Sequence, residues 1–408
     1  LEIDGRQREP VDEEQVRRVV RRMVEQEHVK AFAVSGFAGA INPAHELAVK
    51  KIIKQETDCA VTCGHELSQL LNFRTRARTA VLNARIIPRL EKLLQELERT
   101  LRERGITAPV MVVKGDGTLM AAAAARERPV ETILSGPAAS VAGARHLTGR
   151  SSALVVDMGG TTTDTAALKD GTVRICETGT RVGGHQTHVK ALKYFERRLD
   201  DYRASTEPLQ VAALTGHIDE AVLTPSELDL VKRLQERPYP LDELAEKTEV
   251  GYWSLLRLER LEEHGVVQCC GLTPTDLLHV KGDFRRWDVA TARRMCEMYS
   301  ALTGLTLEEL IGHLLREVTK KLAVELIKKQ LEEETEVDRL EQCALCRVLF
   351  RNMLDGGRAD YRVRLELHRP VIGIGAPVGY FLPRAAQMLG AEAVIAPHAE
   401  VANAVGAI

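Results

Sequence analysis

A run of aspartate, glycine and threonine follows an apolar segment near the middle of the chain. Its members are Asp157, Gly159, Gly160, Thr161, Thr162, Thr163 and Asp164. Two glycines permit a tight hairpin in which backbone N–H groups approach an anion, because no Cβ blocks them. Threonine hydroxyls can donate to phosphate oxygens, and the Asp157 carboxylate suits a magnesium ion or its waters. The run therefore predicts a phosphate-binding hairpin, and a plain glycine hairpin with surface threonines is the alternative.

A second group of small residues lies near the C-terminus, at a predicted strand-to-helix turn. It comprises Gly373, Gly375, Ala376 and Pro377, and residues 400–407 follow as a predicted helix with small residues on one face. Small residues at such a turn make room for a flat ligand or for a close backbone contact. Close packing of a helix on a sheet would explain the same residues.

Histidine and cysteine offer weaker signals. His185 and His188 could contact a metal or a substrate carbonyl, although two histidines on an exposed loop are more often solvated. Cys343 and Cys346 form one C-x-x-C pair, and His65 lies near Cys63. A single C-x-x-C pair is weak evidence for a metal, so reduced thiols are the favoured interpretation.

The elements that must position these residues alternate between helix and strand in the first part of the chain. Strands are predicted at 31–34, 59–62 and 152–156, and a helix begins after Asp12. Another helix begins at Ser135. The long amphipathic helix predicted over 75–104 contains Pro88, which we expect to kink or split it.

Residues 190–345 are charge-rich and predicted to be mostly helical, including a charged helical run over 190–203. Within them, 224–270 resemble a winged-helix unit, an architecture that often binds DNA. Its third helix sets Arg257 and Arg260 against Glu259, Glu262 and Glu263. A helix without a positive excess is a poor phosphate ligand, so a structural role is favoured.

Length and charge composition exclude some classes of function. The chain has 408 residues, with 56 Lys and Arg against 58 Asp and Glu, giving a formal net charge of −2. Two or three domains are expected at this length. The charge balance argues against a general binder of nucleic acid or of membrane surfaces. The sequence shows neither a membrane-spanning stretch nor a signal peptide, so we expect a cytoplasmic protein.

The order of these motifs resembles the hydantoinase/oxoprolinase family. The segments that carry the resemblance are 135–139, 157–164, 183–184, 375–377 and 402–406, with further similarity at 42–46 and 79–84. The resemblance covers 1–188 and about 365–408 well, and the middle only in patches such as 272–276. It implies an α/β protein with the actin/sugar-kinase/Hsp70-like ATPase fold, in which two ribonuclease-H-like lobes enclose a nucleotide cleft.

The resemblance also implies roles for individual residues. Residues 157–164 would be the second of two phosphate-binding hairpins, with Asp157 and Asp164 catalytic and Asp157 also binding Mg²⁺. Residues 114–118 and 135–138, including Gly136, would line the same lobe, and 373–377 would contact the adenosine of ATP. The expected division is an N-terminal α/β region (1–130), the hairpin part of the ATPase core (131–189), a helical insert (190–345) and the C-terminal part of the core (346–408).

The activity implied by the family is the opening of a cyclic amide or imide, driven by ATP hydrolysis. Phosphorylation of the ring carbonyl oxygen would create a leaving group for attack by water, with positioning and magnesium charge supplying catalysis. A second hydantoinase/oxoprolinase subunit and an oligomeric assembly are the expected partners. The alternatives are a non-hydrolytic ATPase of the same fold that activates another enzyme, and a scaffold or transcription-related protein that uses the winged-helix-like unit.

Two departures from the family pattern stand out. The family's first phosphate hairpin and a glycine-rich segment expected soon after Gly184 are not found, and Leu1 falls well inside the family pattern. We therefore expect the chain to be a fragment or a diverged member.

Overall fold

The structure is a computed structural model of the 408-residue chain. It describes residues 1–2, 4–160, 162–182, 185–198, 210–215, 223–248, 250, 256–286, 289–332, 334, 343–357 and 360–408. Among the residues singled out above, Thr161, Gly183 and Gly184 lie outside the described part, as does the end of the 190–203 run.

The chain alternates between helices and short strands. The helices are α1 Glu13–Glu25, α2 Ala44–Glu56, α3 Gly64–Leu67, α4 Phe73–Glu103, α5 Ala122–Glu127, α6 Ser135–Thr148, α7 Pro225–Glu236, α8 Leu241–Lys247, α9 Glu259–Glu263, α10 Pro274–Lys281, α11 Ala290–Thr303, α12 Leu307–Leu331, α13 Ala344–Leu354, α14 Val378–Met388 and α15 Ala402–Val405. The strands are β1 Ala31–Val34, β2 Ala60–Cys63, β3 Met111–Val113, β4 Leu119–Ala121, β5 Ala153–Met158, β6 Thr162–Lys169, β7 Thr172–Val173, β8 Arg181–Val182, β9 His185–Gln186, β10 Tyr194–Arg198, β11 Val211–Leu214, β12 Tyr239–Pro240, β13 Val267–Cys270, β14 Val371–Ile374 and β15 Ala393–Ile395. Short 3₁₀ turns cover Pro129–Thr132 and Ala399–Val401.

The N-terminal region is the predicted α/β layer. Strands β1 and β2 pair in parallel, and α1 and α2 pack beside them around Val20, Phe32 and Ile53. Helix α1 begins after Asp12, whose carboxylate accepts a 2.9 Å hydrogen bond from the Gln15 N–H and so satisfies a free helix-end donor. The strand and helix predictions for this region are confirmed.

Helix α4 runs unbroken through Pro88, so the expectation that proline would split it is wrong. Proline removes one backbone hydrogen bond inside a helix. Buried residues on both sides of Pro88, including Ala84, Ile87 and Leu94, hold the two halves against the same neighbours. Tertiary packing therefore outweighs the local cost of the proline.

A central sheet positions the chemistry-bearing residues. Among the described residues its strand order is β10-β6-β5-β14-β15, with β7 also on β6, and β14 pairs in parallel with β5 and β15. Every residue of β14 is buried, as is nearly all of β5. One face of the sheet packs on α6 through Val141 and Ala144, and the other packs on α12 and α14 through Leu322 and Phe381. The layered α/β class predicted from the sequence is confirmed.

The charged helical run expected over 190–203 is a wrong prediction over its described part, 190–198. Residues 194–198 form strand β10, which pairs antiparallel with the outer edge of β6. A free sheet edge offers backbone hydrogen bonds to a distant segment, and that non-local pairing overrides the local helical preference.

Residues 211–270 form a small unit whose described elements run strand, helix, strand, helix, helix, strand. Its sheet has the order β12-β11-β13, and its core includes Leu230, Leu244 and Leu261. This order is consistent with the winged-helix-like unit proposed above. Arg260 of α9 is ion-paired with Glu227 of α7, and Glu262 accepts a 2.9 Å hydrogen bond from the Cys269 N–H. These contacts within the unit favour the structural interpretation over DNA binding.

Candidate functional site

The aspartate–glycine run forms a hairpin between β5 and β6. The Gly159 N–H donates a 2.9 Å hydrogen bond to the Thr162 carbonyl, which closes the turn. Asp157 lies directly across from Asp164, so the two carboxyl groups project from the same face of the sheet. Apolar residues that bury β5 on both faces fix the strand, and the glycines allow it to reverse.

Asp157 is held by the helix behind it. Ser140 of α6 donates a 2.5 Å hydrogen bond to Asp157 Oδ2. Burial raises the pKa of Asp157 above its usual value, and the hydrogen bond from Ser140 acts in the opposite direction by stabilising the ionised form. The serine therefore keeps a partly buried carboxylate oriented and available as an anion.

The two described threonines of the run, Thr162 and Thr163, lie on opposite faces of the sheet. Thr163 alternates with Asp164, so its side chain lies on the opposite face of the sheet, where it is 1% exposed. Neither its hydroxyl nor that of Thr165 has a hydrogen-bond partner among the described residues. Thr162 lies on the Asp164 side by the same alternation. Strand periodicity thus separates Thr163 from the carboxylate with which it was grouped.

The C-terminal turn packs directly on the hairpin. Strand β14 brings Ile374 beside Asp157, and Gly375 follows with φ +93°. A Cβ at Gly375 would lie 2.2 Å from the Met158 carbonyl oxygen, so only glycine fits there. The Gly375 N–H donates a 2.7 Å hydrogen bond to the Ala399 carbonyl. The predicted hairpin and the predicted C-terminal turn therefore meet at one backbone contact, between Met158 and Gly375, which are 217 residues apart in the chain.

The requirement for glycine is different in the hairpin. Gly160 is not in the left-handed region, and a Cβ there would meet nothing within 4 Å. A side chain at Gly160 would therefore clash with no described residue, and its backbone conformation does not require glycine. A Cβ at Gly373 would lie 2.5 Å from the Leu382 side chain, which explains that glycine by helix–sheet packing.

A cleft of about 300 Å³ opens where the hairpin and the turn meet. It brings together six of the predicted site residues, namely Asp157, Gly159, Gly160, Gly375, Ala376 and Pro377. Five polar residues that were not assigned to the site also line it, namely Thr273, Thr275, Asp276, Glu400 and Asn403. Asp164 lines a separate small cavity behind Asp157 instead, and Gly136 is exposed at the start of α6.

Residues 272–276, at the start of α10, carry part of the family resemblance and also reach the cleft. The Thr273 hydroxyl donates a 2.6 Å hydrogen bond to Asp276 Oδ2, and the Asp276 N–H donates back to that hydroxyl at 3.2 Å. This reciprocal capping box fixes the start of α10. It presents the buried Thr275 hydroxyl, which has no partner among the described residues, at the cleft. The threonine–proline–threonine–aspartate capping pattern was the available signal.

The two histidines have different environments. His185 is exposed in the β8–β9 hairpin, as expected for a solvated residue. His188 is 8% exposed, and its backbone N–H donates a 2.9 Å hydrogen bond to Thr79 Oγ1 of α4. Burial, and secondarily the nearby Arg76 charge, lowers the pKa of His188, which favours the neutral ring. The interpretation of both histidines as exposed is therefore wrong for His188.

Lys114 does not reach the cleft. Its ammonium group forms ion pairs with Asp116 at 3.2 Å and Glu131 at 3.0 Å. Its charge is thus paired within the turn after β3, and it is absent from the residues that line the cleft.

Family models identify the class of protein to which this geometry belongs. Residues 76–196 match the hydantoinase/oxoprolinase model, and residues 1–57 match the model of the hydantoinase/oxoprolinase N-terminal region. These two matches confirm the resemblance to the hydantoinase/oxoprolinase family that the sequence motifs indicated.

Curated relatives match over about two fifths of the chain. Caprolactamase subunit alpha of Pseudomonas jessenii is 30% identical over 172 residues, which are 41% of this chain and 25% of the relative. The acetophenone carboxylase gamma subunit of Aromatoleum aromaticum is 26% identical over 174 residues, which are 40% of this chain and 23% of the relative. The matched part of the chain thus spans about a quarter of the length of these relatives.

Solved structures share the fold over the whole chain. An acetone carboxylase structure, from a study of ATP-dependent acetone carboxylation, matches with a TM-score of 0.60 and 14% identity. The match covers all of this chain and 50% of the acetone carboxylase chain. The ATP-dependent caprolactamase of Pseudomonas jessenii matches with a TM-score of 0.58 and 19% identity, over 52% of its length. The α/β fold is therefore that of these ATP-dependent family members.

In the described part of the chain, every helix is too short or too polar to cross a bilayer.

Proposed function

We propose that this chain is the nucleotide-binding part of an ATP-dependent enzyme that opens a cyclic amide or imide. The observation that carries the proposal is the cleft where the Asp157 hairpin and the Gly375 turn meet. The matches to the hydantoinase/oxoprolinase models and relatives described as ATP-dependent support it.

The cleft suits a nucleotide in two ways. On one side, Gly159 and Gly160 leave backbone groups accessible to phosphate oxygens, since a Cβ at Gly160 would have open space around it. On the other side, Gly375, Ala376 and Pro377 form a flat wall of small residues for the adenosine. The buried Thr275 hydroxyl supplies a donor that has no partner within the described protein.

The residues at the cleft also fit Mg²⁺. Asp157, Asp276 and Glu400 supply carboxylate oxygens, the ligands that this cation prefers. Asp157 would hold the ion or its waters, with Ser140 fixing the orientation of the carboxylate. When bound, the ion would neutralise charge on the phosphate oxygens.

The reaction class follows from the relatives and from the chemistry of amides. Transfer of the γ-phosphoryl group of ATP to the ring carbonyl oxygen, with release of ADP, would activate the ring carbon for attack by water. Loss of the ring nitrogen from the resulting adduct would break the C–N bond and open the ring. Hydrolysis of the remaining acyl phosphate would release phosphate and the carboxylate. The caprolactamase relatives support a lactam or a related ring, of which hydantoin and 5-oxoproline are the types we propose. The carboxylase relatives favour a second candidate, ATP-dependent carboxylation of a ketone.

A partner subunit completes the proposal. Two relatives are named as subunits, and the matched region is about a quarter of their length. We therefore propose that the chain acts with a second hydantoinase/oxoprolinase subunit in an oligomer, in the ATP-supplied cytoplasm.

Calorimetric titration with MgATP and MgADP tests the nucleotide site. The Asp157→Asn variant should lose magnesium-dependent binding, whereas Asp170→Asn, at the far end of the same strand pair, should bind as the parent does. Equal binding by the parent and Asp157→Asn would contradict the assignment.

ADP release with hydantoin, 5-oxoproline or caprolactam, measured with the second subunit present, would identify the ring. Turnover only with acetone and bicarbonate would favour carboxylation.

A further inference from the structure

A cluster of three different metal-binding side chains lies in the N-terminal region, away from the cleft. Glu46 is in the first turn of α2, Cys63 ends β2 and His65 is in α3. One ligand atom of each lies within 4.8 Å of the other two. None of the three lines the nucleotide cleft.

The carboxylate at the centre of this cluster is almost fully buried. Glu46 is 1% exposed and Cys63 is 0% exposed, whereas the side chain of His65 is 14% exposed. Burial of a carboxylate is costly unless a cation or several donors compensate it. Gly39 packs so closely that a Cβ there would lie 2.1 Å from Glu46 Oε1. The surrounding backbone thus encloses the carboxylate tightly.

Backbone donors hold the carboxylate in a fixed orientation. Glu46 Oε1 accepts a 2.7 Å hydrogen bond from the Gly36 N–H, and Oε2 accepts a 2.9 Å hydrogen bond from the His65 N–H. The His65 Nδ1 atom also lies 2.6 Å from Oε2. The Cys63 thiol makes a long contact of 3.6 Å with the Glu46 carbonyl oxygen. Such fixed donors on a metal-facing carboxylate are a common feature of metal sites.

We propose that Cys63, His65 and Glu46 form a zinc site. A thiolate sulfur, an imidazole nitrogen and a carboxylate oxygen are the three ligand types that Zn²⁺ takes in proteins. Magnesium and calcium prefer all-oxygen ligand sets, so a cysteine and a histidine in the cluster select against them. Three protein ligands leave one position of a tetrahedral ion for water or another small ligand.

The cluster is placed so that a cation would brace the loop before α2. Arg76 of α4 is fully buried and donates hydrogen bonds to the Gly36 carbonyl at 2.8 Å and the Leu70 carbonyl at 2.9 Å. A Cβ at Gly64, between two of the ligands, would lie 3.1 Å from the Arg76 side chain. The cation would join α2, β2 and α3 beside the loop that Arg76 ties to α4.

Zinc titration of the chain, after removal of metal with a chelator, tests the proposal. We expect one Zn²⁺ per chain by elemental analysis and calorimetry, with affinity falling at least tenfold in Cys63→Ser and in His65→Gln. Cys59→Ser is the matched control, because Cys59 lies just before the same strand, outside the cluster, with its thiol near the Val29 carbonyl at 3.6 Å. Co²⁺ should give a thiolate-to-metal charge-transfer band that Cys63→Ser lacks and Cys59→Ser keeps.

Two outcomes would overturn the proposal. One is the absence of stoichiometric zinc in the parent chain, which would leave a Glu46–His65 ion pair beside a core cysteine. The other is equal zinc binding by the parent and Cys63→Ser. If circular dichroism shows that Cys63→Ser does not fold, the isosteric Glu46→Gln variant replaces it and must lose zinc. Because these residues lie outside the cleft, loss of zinc binding and loss of MgATP binding are separate results.

Discussion

Ser140 Oγ donates a 2.5 Å hydrogen bond to Asp157 Oδ2, joining the helix behind the central sheet to the carboxylate at the cleft. Helix α6 packs on the same sheet face from which Asp157 projects. The serine is 1% exposed, so it serves the protein interior and does not contact solvent. This pair connects the packing of the sheet to the proposed chemistry, and it supports the first two predictions.

Ser140→Ala should weaken MgATP binding about tenfold, equivalent to ~1.4 kcal/mol, which is within the range for a hydrogen bond to a charged group. The variant removes the interaction that keeps Asp157 ionised and oriented. Calorimetry measures the change, and Ser151→Ala, an exposed serine outside the site, is the control. Unchanged affinity in Ser140→Ala would show that the serine does not act through Asp157.

The pH dependence of MgATP binding should reflect the raised pKa of Asp157. Burial raises this pKa above 3.8, so the carboxyl group takes up its proton at a higher pH than an ordinary aspartate does. Affinity should therefore fall as the pH is lowered through that raised value. In Ser140→Ala the midpoint should move to still higher pH, because a stabilising hydrogen bond is lost. ATP titrates equally in both proteins, so identical midpoints would refute this prediction.

Gly375→Ala should remove nucleotide binding and lower the free energy of unfolding by at least about 2 kcal/mol. The new Cβ would meet the Met158 carbonyl, and alanine is strained at φ +93°. Gly160→Ala is the matched control in the facing hairpin, where a Cβ has open space, and should change stability by less than about 0.5 kcal/mol. Denaturant unfolding and calorimetry measure both effects. A normal Gly375→Ala protein would mean that the turn can move away from the hairpin.

Asn83→Ala should destabilise the N-terminal region by about 3 kcal/mol. The Asn83 amide donates to Thr62 Oγ1 at 2.9 Å and to the Glu127 carbonyl at 3.0 Å, and it accepts from the Val130 N–H at 3.0 Å. Alanine leaves all three groups without these bonds, and the bonds to Thr62 and Val130 are buried. Leu93→Ala, at a position 62% exposed on the same helix, is the control for urea unfolding. Equal stability of the two variants would contradict the role of Asn83 as a buried link.

The 211–270 unit should lose stability in acid through Glu227. The hydrogen bond from Arg260 holds the pKa of Glu227 at about 2, below its ordinary value of 4.5. A depressed pKa in the folded chain contributes stability that is present above about pH 4.5 and is lost as the pH falls towards 2. Glu227→Gln should therefore flatten the dependence of unfolding free energy on pH in this range. Glu259→Gln, at an exposed position in α9, should keep the parent slope.

Much of the fold was predictable because its signals are local. Apolar runs define β5 and β14, and β1 was predicted with its observed bounds, 31–34. The capping box at Thr224 and Glu227 is a signal of this kind, since its hydrogen bonds join residues within one helical turn. The hairpin at Asp157 and the turn at Gly375 were identified for the same reason.

Other features were not predictable, because they depend on contacts between distant segments. The edge strand β10 exists because β6 offers it backbone partners, although its own charged sequence favours helix. The burial of His188 depends on Thr79, which is 109 residues earlier in the chain. The polar lining from Thr273 to Asp276 reaches the cleft only because α10 packs beside the sheet.

The sequence by itself determined the identity of the two glycine-containing turns, the strands that end in them and the family to which they point. These depend on residue type and on spacing within a few residues, where backbone geometry is nearly independent of the rest of the chain. The tertiary structure decided that Gly375, and not Gly160, is sterically required. It also decided that Glu46, Cys63 and His65 meet. Close packing between segments far apart in sequence sets each of these relationships, and no local pattern encodes that packing.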